Sequence, residues 1–376
     1  MSNDNSNTSM ISLGWDQHFE KHFEPYSPDG LVPGRVEAEH RNLYRVVCEC
    51  GHFSAEVSGR FINSAVSRGD YPAVGDWVVM NLLEKEQKGI IQAVLERKSC
   101  FSRKAVLSGG MPDTGGKTAE QVLAANIDTV FLVSGLDNNF NIRRIERYVT
   151  VAYNSGATPV IILNKADLRD DLDECVSEVQ EIAAGVDVLA VSAASHAGLD
   201  ALQRYLAVGK TVAFLGSSGV GKSTIINTLL GEQRLKTREV SGEDSRGRHT
   251  TTHRELIVLP GGGVVIDTPG MREISLWDDT GGLQKAFDDI EAFARQCRFH
   301  DCTHESEPGC AVQAALADGR LDAARFGNYV KLQKEISAFA IRKDKQLYRQ
   351  TTRERDKKHR RYFKEMQKVN KKFRER

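Results

Sequence analysis

The sequence predicts a multidomain α/β protein: a small β-barrel, then a doubly wound α/β domain, then a C-terminal helical region built around a metal. Three observations predict it. Five short strand-like segments crowd into residues 35–97, and continuous apolar runs alternate with helical stretches between residues 119 and 280. Beyond them the strands stop, and a cluster of Cys and His lies between two helical stretches. A chain of 376 residues is long enough for two or three domains with cores of their own.

The first thirty residues, opening MSNDNSNTSMISLGW, are polar and rich in Asn and Ser, so a disordered tail is expected over 1–30. They lack the basic start and apolar stretch of a signal peptide. No apolar run approaches the span of a bilayer, so no membrane partner is expected. The segments GRVEAEHRN, LYRVVCEC, HFSAEVSGRF, VGDWVVMNLL and GIIQAVLER alternate imperfectly and are bounded by Gly, Asn and Pro. They fit an OB-type barrel over 31–102, with Trp77 in its core; an SH3-like barrel fits the same pattern. The Gly-rich, basic stretch RKAVLSGGMPDTGGKT (103–118) reads as a linker.

From residue 119 the rhythm changes. TVFLVS (129–134), VIILN (160–164), VDVLAVS (186–192), TVAFLG (211–216), LIVL (256–259) and VVID (264–267) suit strands buried on both faces of a parallel sheet. Between them, Ile142, Ile145, Val149 and Ala152 fall on one helical face. The α/β domain is placed at 119–280. GGLQKAFDDIEAFARQ and FGNYVKLQKEISAFAIRKDK then read as helices of a domain over 281–340, followed by a basic tail over 341–376. That tail carries sixteen Lys and Arg against five Asp and Glu, a net +11, so in a chain of zero formal charge the rest carries −11. An acidic body with a basic tail points to a polyanionic partner, a solvated helix being the alternative. Tyr348, Tyr362, Phe363 and Phe373 in the tail suit stacking on exposed bases.

GSSGVGKS, residues 216–223, follows one buried-type strand and precedes a helix, which is the context a phosphate loop requires. Gly216, Ser217, Ser218, Gly219, Val220 and Gly221 would bring backbone N–H groups to phosphates. Lys222 would reach the β- and γ-phosphates, Ser223 would ligate Mg²⁺, and Thr224 continues the helix whose N-terminus favours anions. In DTPG (267–270), Asp267 is placed as a further Mg²⁺ partner, and Gly270 lets a backbone N–H turn towards the γ-phosphate. NKAD (164–167) also ends a strand. The Asp167 carboxylate can accept two hydrogen bonds from a guanine edge, while Asn164, Lys165 and Ala166 shape the loop. In SAAS, Ser192 and Ala193 are candidates for contacting the guanine carbonyl. All these motifs sit at carboxyl ends of strands, where α/β sheets bind ligands.

The order is inverted, because in most GTPases the phosphate loop comes first and the base reader last. Exchanging the two halves restores the usual order, so the domain reads as a circularly permuted P-loop α/β GTPase domain, a rearrangement tolerated where termini lie close. CRFHDCTHESEPGC places Cys297, Cys302, His304 and Cys310 at C-x4-C-x-H-x5-C, with His300 a competitor by spacing. Three thiolates and one imidazole make a closed, structural zinc site. Cys48, Cys50, Cys100 and Cys175 read as packing residues. Seven unevenly spaced cysteines are no disulfide framework, so a reducing, cytoplasmic setting is expected.

Barrel, NKAD, GSSGVGKS, GRHTTT, DTPG and the Cys/His cluster together resemble the ribosome small subunit-dependent GTPase A (RsgA) family over about residues 31–340. The resemblance implies GTP hydrolysis coupled to late maturation of the small (30S) ribosomal subunit, binding of GTP/GDP and of 16S rRNA, one structural Zn²⁺, and Mg²⁺ with GTP. It favours His304 over His300 as the fourth zinc ligand. RGRHTTT (246–252) would be switch I, with Thr250, Thr251 or Thr252 completing the Mg²⁺ shell, Thr251 preferred. Met271 stands where Ras-type enzymes have a water-orienting Gln, so intrinsic hydrolysis should be slow, and the resemblance suggests His249 in that role. A monomer is expected. The alternatives are a metal-delivery GTPase and an RNA-binding protein with a vestigial nucleotide site.

Overall fold

The computed structural model describes residues 9–40, 43–106, 118–235, 254–267 and 281–338. The N-terminal stretch departs from the expected disorder from residue 9 onward. A 3₁₀ turn (Met10–Leu13), helix α1 (Gln17–Phe23) and a second 3₁₀ segment (Glu24–Asp29) occupy it. Composition hid this, because a few apolar residues in a polar stretch suffice. Met10, Leu13 and Phe19 are buried, and the Trp15 ring meets the Trp77 ring edge-on at 4.8 Å.

Strands β1 (Val32–His40), β2 (Leu43–Cys48) and β3 (Gly51–Val57), helix α2 (Gly59–Ser64), then β4 (Trp77–Leu83) and β5 (Lys88–Val94) follow. β1 pairs with both β2 and β4, β3 pairs parallel with β5, and β4 pairs with β5, which closes a five-stranded barrel of the expected OB type. Its interior is Val36, Val46, Ala55, Val78, Met80 and Ile91. Trp77 belongs elsewhere. Neighbouring strand residues face opposite sides, so Trp77, next to the inward Val78, packs outside the barrel with Leu13, Phe19 and Leu95. Cys48 is buried in this region, which pushes its thiol up to about 11, whereas Cys50 is exposed and not a packing residue.

The expected linker is partly a hairpin, since β6 (Cys100–Val106) pairs antiparallel with β7 (Thr118–Ala125) from Cys100↔Ala125 to Val106↔Thr118. Residues 107–117 lie outside the described residues. Buried Arg35 ties three parts together, donating to the carbonyl oxygens of Leu13, Gly75 (3.2 Å) and Asn126 (3.1 Å).

The α/β domain runs β8 (Thr129–Gly135), α3 (Ile142–Ser155), β9 (Thr158–Asn164), α4 (Leu172–Ile182), β10 (Asp187–Val191), β11 (Thr211–Leu215), α5 (Lys222–Leu230), β12 (Glu255–Val258) and β13 (Val264–Asp267). The spatial order is β10-β9-β8-β11-β13-β12, parallel from β10 to β13. β12 departs from the expected parallel sheet. It pairs antiparallel with β13 and, at Ala38↔Glu255, with β1, so barrel and α/β sheet are continuous. An apolar run such as LIVL marks burial but not direction. β8 and β11 are adjacent although far apart in sequence, and the chain leaves them to opposite sides of the sheet, which makes their carboxyl ends the switch point where ligands bind.

Phe131, Phe214, Leu202, Ile225 and Ile226 fill one face of the sheet. On the other, Leu132, Ile145, Val149, Ile161 and Val179 share one core with Leu283, Phe287, Val312 and Leu332 of the C-terminal helices. Those helices are α6 (Gly281–Ala286), α7 (Asp288–Ala294), α8 (Ala311–Ala317) and α9 (residues 323–338). Among the described residues no helix is long and apolar enough to cross a membrane. The basic tail over 341–376 lies outside the described residues.

Candidate nucleotide site and metal centre

The phosphate loop joins β11 to α5 at the switch point. Gly219 (φ +76°) and Gly221 (φ +97°) adopt left-handed backbone, and a Cβ on Gly221 would run into the Asn164 side chain. The Lys222 ammonium donates to the carbonyl oxygens of Gly216 (2.7 Å) and Ser217 (2.6 Å), which folds it back over the loop. Val220 is buried beneath the loop, while Ser218 and Gly219 are open to solvent. Ser223 and Thr224 follow in the first turn of α5, both half-buried. Burial raises the Asp267 carboxyl above the usual carboxylate range, and the nearby Lys222 charge opposes that shift. Oxygen donors of this kind suit Mg²⁺.

Asn164 is the junction of the site. It is buried at the end of β9, its Nδ2 donates to the Val220 carbonyl at 2.8 Å, and its Oδ1 accepts from the Ala193 N–H at 3.0 Å. One side chain therefore ties NKAD to the phosphate loop on one side and to SAAS on the other. Lys165 sits in left-handed backbone (φ +67°), and its ammonium pairs with Asp137 at 2.5 Å. Burial works to raise the Asp137 carboxyl, but hydrogen bonds from Lys165 and the Asn139 N–H outweigh it and hold it below the usual range. Ala166 and Asp167 lie in a 3₁₀ turn, with Asp167 exposed and accessible to a base. Ser192 is buried and its hydroxyl accepts from the Ser195 N–H at 3.3 Å. His249, Thr251 and Gly270, with Thr250, Thr252 and Met271, lie outside the described residues.

Asp137, Asn139 and Arg144, on the loop after β8 and the start of α3, were not anticipated from sequence. Asn139 Nδ2 donates to Ser217 Oγ at 2.8 Å, and Arg144 Nη1 reaches the same oxygen at 3.2 Å. They form no motif and become visible only once β8 is set beside β11.

Cys297, Cys302, His304 and Cys310 converge, with their ligand atoms all within 4.8 Å of one another. Cys297 Sγ lies 3.9 Å from Cys310 Sγ, and His304 Nδ1 lies 3.6 Å and 3.5 Å from those sulfurs. A tetrahedral zinc with ordinary bond lengths requires about 3.8 Å between sulfurs and about 3.5 Å between sulfur and nitrogen, so the donors fit Zn²⁺. His300 is exposed and not in the cluster. The Gln313 side chain donates to the His304 carbonyl at 2.5 Å, bracing a residue in left-handed backbone (φ +61°).

The sequence model of the RsgA GTPase family matches residues 94–277. A "Small ribosomal subunit biogenesis GTPase RsgA" of Opitutus terrae is 47% identical over 91% of this chain and 93% of its own. One of Methanosarcina acetivorans is 44% identical over 86% and 84%. Among solved structures, YjeQ from Thermotoga maritima superposes with a TM-score of 0.61 at 29% identity, covering 81% of this chain and 98% of that one. YloQ, described as a circularly permuted GTPase, superposes with a TM-score of 0.58 at 23% identity, covering 82% and 96%, and speaks for the fold alone. With the inverted motif order folded into one site and near-full-length relatives at this identity, the chain belongs to the RsgA family of circularly permuted GTPases.

Proposed function

We propose that the protein hydrolyses GTP and thereby assists late maturation of the small (30S) ribosomal subunit, binding it in the GTP state and leaving after hydrolysis. The observation that carries this reading is the Asn164 junction, which assembles base-reading and phosphate loops from a permuted chain. In this reading Asp167 accepts from the guanine edge, with Asn164, Lys165, Ala166, Ser192 and Ala193 shaping its pocket. Gly216–Thr224 cradles the phosphates. Lys222 offsets their charge, while Ser223, Thr251 and Asp267 hold Mg²⁺, Gly270 faces the γ-phosphate, and His249 orients water.

The zinc cluster, closed by four protein ligands, supports a structural ion. It gives no support to metal delivery, which needs an exchangeable position. The barrel and the +11 tail are the surfaces offered to 16S rRNA, the tail through salt-sensitive phosphate contacts. A monomer working in the cytoplasm fits this role. Co-sedimentation with purified small subunits tests it. Retention with a non-hydrolysable GTP analogue and release with GDP are expected, and equal retention in both states, or preference for large subunits, would refute it.

A further inference from the structure

Ser217 is held from both ends. Its carbonyl oxygen accepts from the Lys222 ammonium at 2.6 Å, and its hydroxyl oxygen accepts from Asn139 Nδ2 at 2.8 Å and Arg144 Nη1 at 3.2 Å. Asn139 and Arg144 also hold each other, Arg144 Nη1 donating to Asn139 Oδ1 at 2.5 Å. The bracket is anchored, because Asp137 Oδ1 accepts from the Asn139 N–H at 3.0 Å and Asn141 caps α3 by accepting from the Arg144 N–H at 3.0 Å. Helix α3 is itself pinned to the C-terminal helices. Arg143 pairs with Asp322 at 2.6 Å, Glu146 with Arg325 at 2.9 Å, and Arg147 with Glu335 at 2.6 Å.

We infer that Asn139 and Arg144 are positioning residues for the phosphate lysine: they fix Ser217, whose carbonyl oxygen aims Lys222. This rests on the nucleotide site proposed above. Phosphoryl transfer depends on placing charge where it develops, so a lysine free to swing loses transition-state stabilisation more than ground-state binding. The bracket stands on α3, which the C-terminal helices grip on an adjoining face, so those helices bear on the same lysine.

The test is steady-state GTP turnover of the full chain carrying Arg144→Ala, Asn139→Ala, Ser217→Ala or Arg144→Ala with Ser217→Ala, beside Lys222→Ala. Arg144→Ala should lower kcat/KM by about 10–100-fold, the range for losing a hydrogen bond from a charged group, and Asn139→Ala by about 2–10-fold, the range for a neutral one, both mainly in kcat and with unchanged thermal unfolding. The double variant should be no worse than the poorer single one, because both act through one oxygen. Wild-type kcat in both Arg144→Ala and Asn139→Ala, losses that multiply in the double variant, or losses confined to KM would overturn the inference. If Lys222→Ala also keeps wild-type turnover, the nucleotide site itself is misassigned. If Lys222→Ala is inactive and the bracket variants are normal, only the bracket fails.

Discussion

The Nδ2 of Asn164 lies 2.8 Å from the carbonyl oxygen of Val220, so the first residue of NKAD touches the glycine-rich loop that follows it 56 positions later. The same residue accepts from the Ala193 N–H. Connectivity has been rearranged while the spatial site is kept. Asn164→Ala strips partners from two buried backbone groups, each worth about 1–3 kcal/mol when left unsatisfied. Chemical denaturation should show a loss of that order, and GTP and GDP affinity should fall together. A variant of unchanged stability and affinity would mean that the junction is incidental.

Asp167→Asn replaces an acceptor-only group with one that also donates. GTP affinity should drop by about 10–100-fold, as for a lost charge-assisted hydrogen bond, and xanthosine triphosphate should gain. Competition binding with the two nucleotides checks this. No loss for GTP and no gain for the xanthine nucleotide would remove NKAD as the base reader.

Cys302→Ser removes one of the four donors that converge as a candidate zinc site. Zinc content by elemental analysis should fall, and the C-terminal helices should exchange amide hydrogens faster, since a structural zinc contributes to folding directly. GTP binding should be largely kept, because Cys297, Cys302, His304 and Cys310 lie outside the sheet that carries the nucleotide loops. Full zinc occupancy in the variant would show that the ligand set is wrong.

Arg325 is 7% exposed, and it pairs with Glu146, 2% exposed, and with Asp289 at 2.7 Å. Burial works to lower its guanidinium pKa, but the carboxylate partners outweigh that and raise it. Glu146 keeps Arg143 at 2.7 Å and accepts from Asn328 Nδ2 at 2.6 Å, so Arg325→Met should cost about 1.5–3 kcal/mol by urea denaturation, the range for losing hydrogen bonds to a charged group. A cost below about 1 kcal/mol would mean that Arg143 and Asn328 satisfy Glu146 alone.

What the sequence makes legible is local chemistry. The glycines of GSSGVGKS, the spacing of Cys297, Cys302, His304 and Cys310, and the loop NKAD each lie in one short stretch of chain, so the pattern that suggests their chemistry is complete in the sequence. Asn139 and Arg144 act only because β8 lies beside β11, a relation no short window contains. The N-terminal helices were missed for another reason. Leu13 and Phe19 are few among polar neighbours, and their burial depends on the outer face of Trp77. β12 shows a third limit, since its apolar run is the same whether it pairs parallel or, as here, antiparallel with β13.

The most direct test of the account is steady-state GTP turnover measured against rising concentrations of purified small ribosomal subunits. Met271 cannot orient water, so the free protein should be slow. Subunit binding should complete the catalytic geometry and raise turnover by about 10³–10⁵-fold to saturation, the range that correct positioning supplies in phosphoryl transfer. A turnover rate that stays flat across the titration would contradict the account.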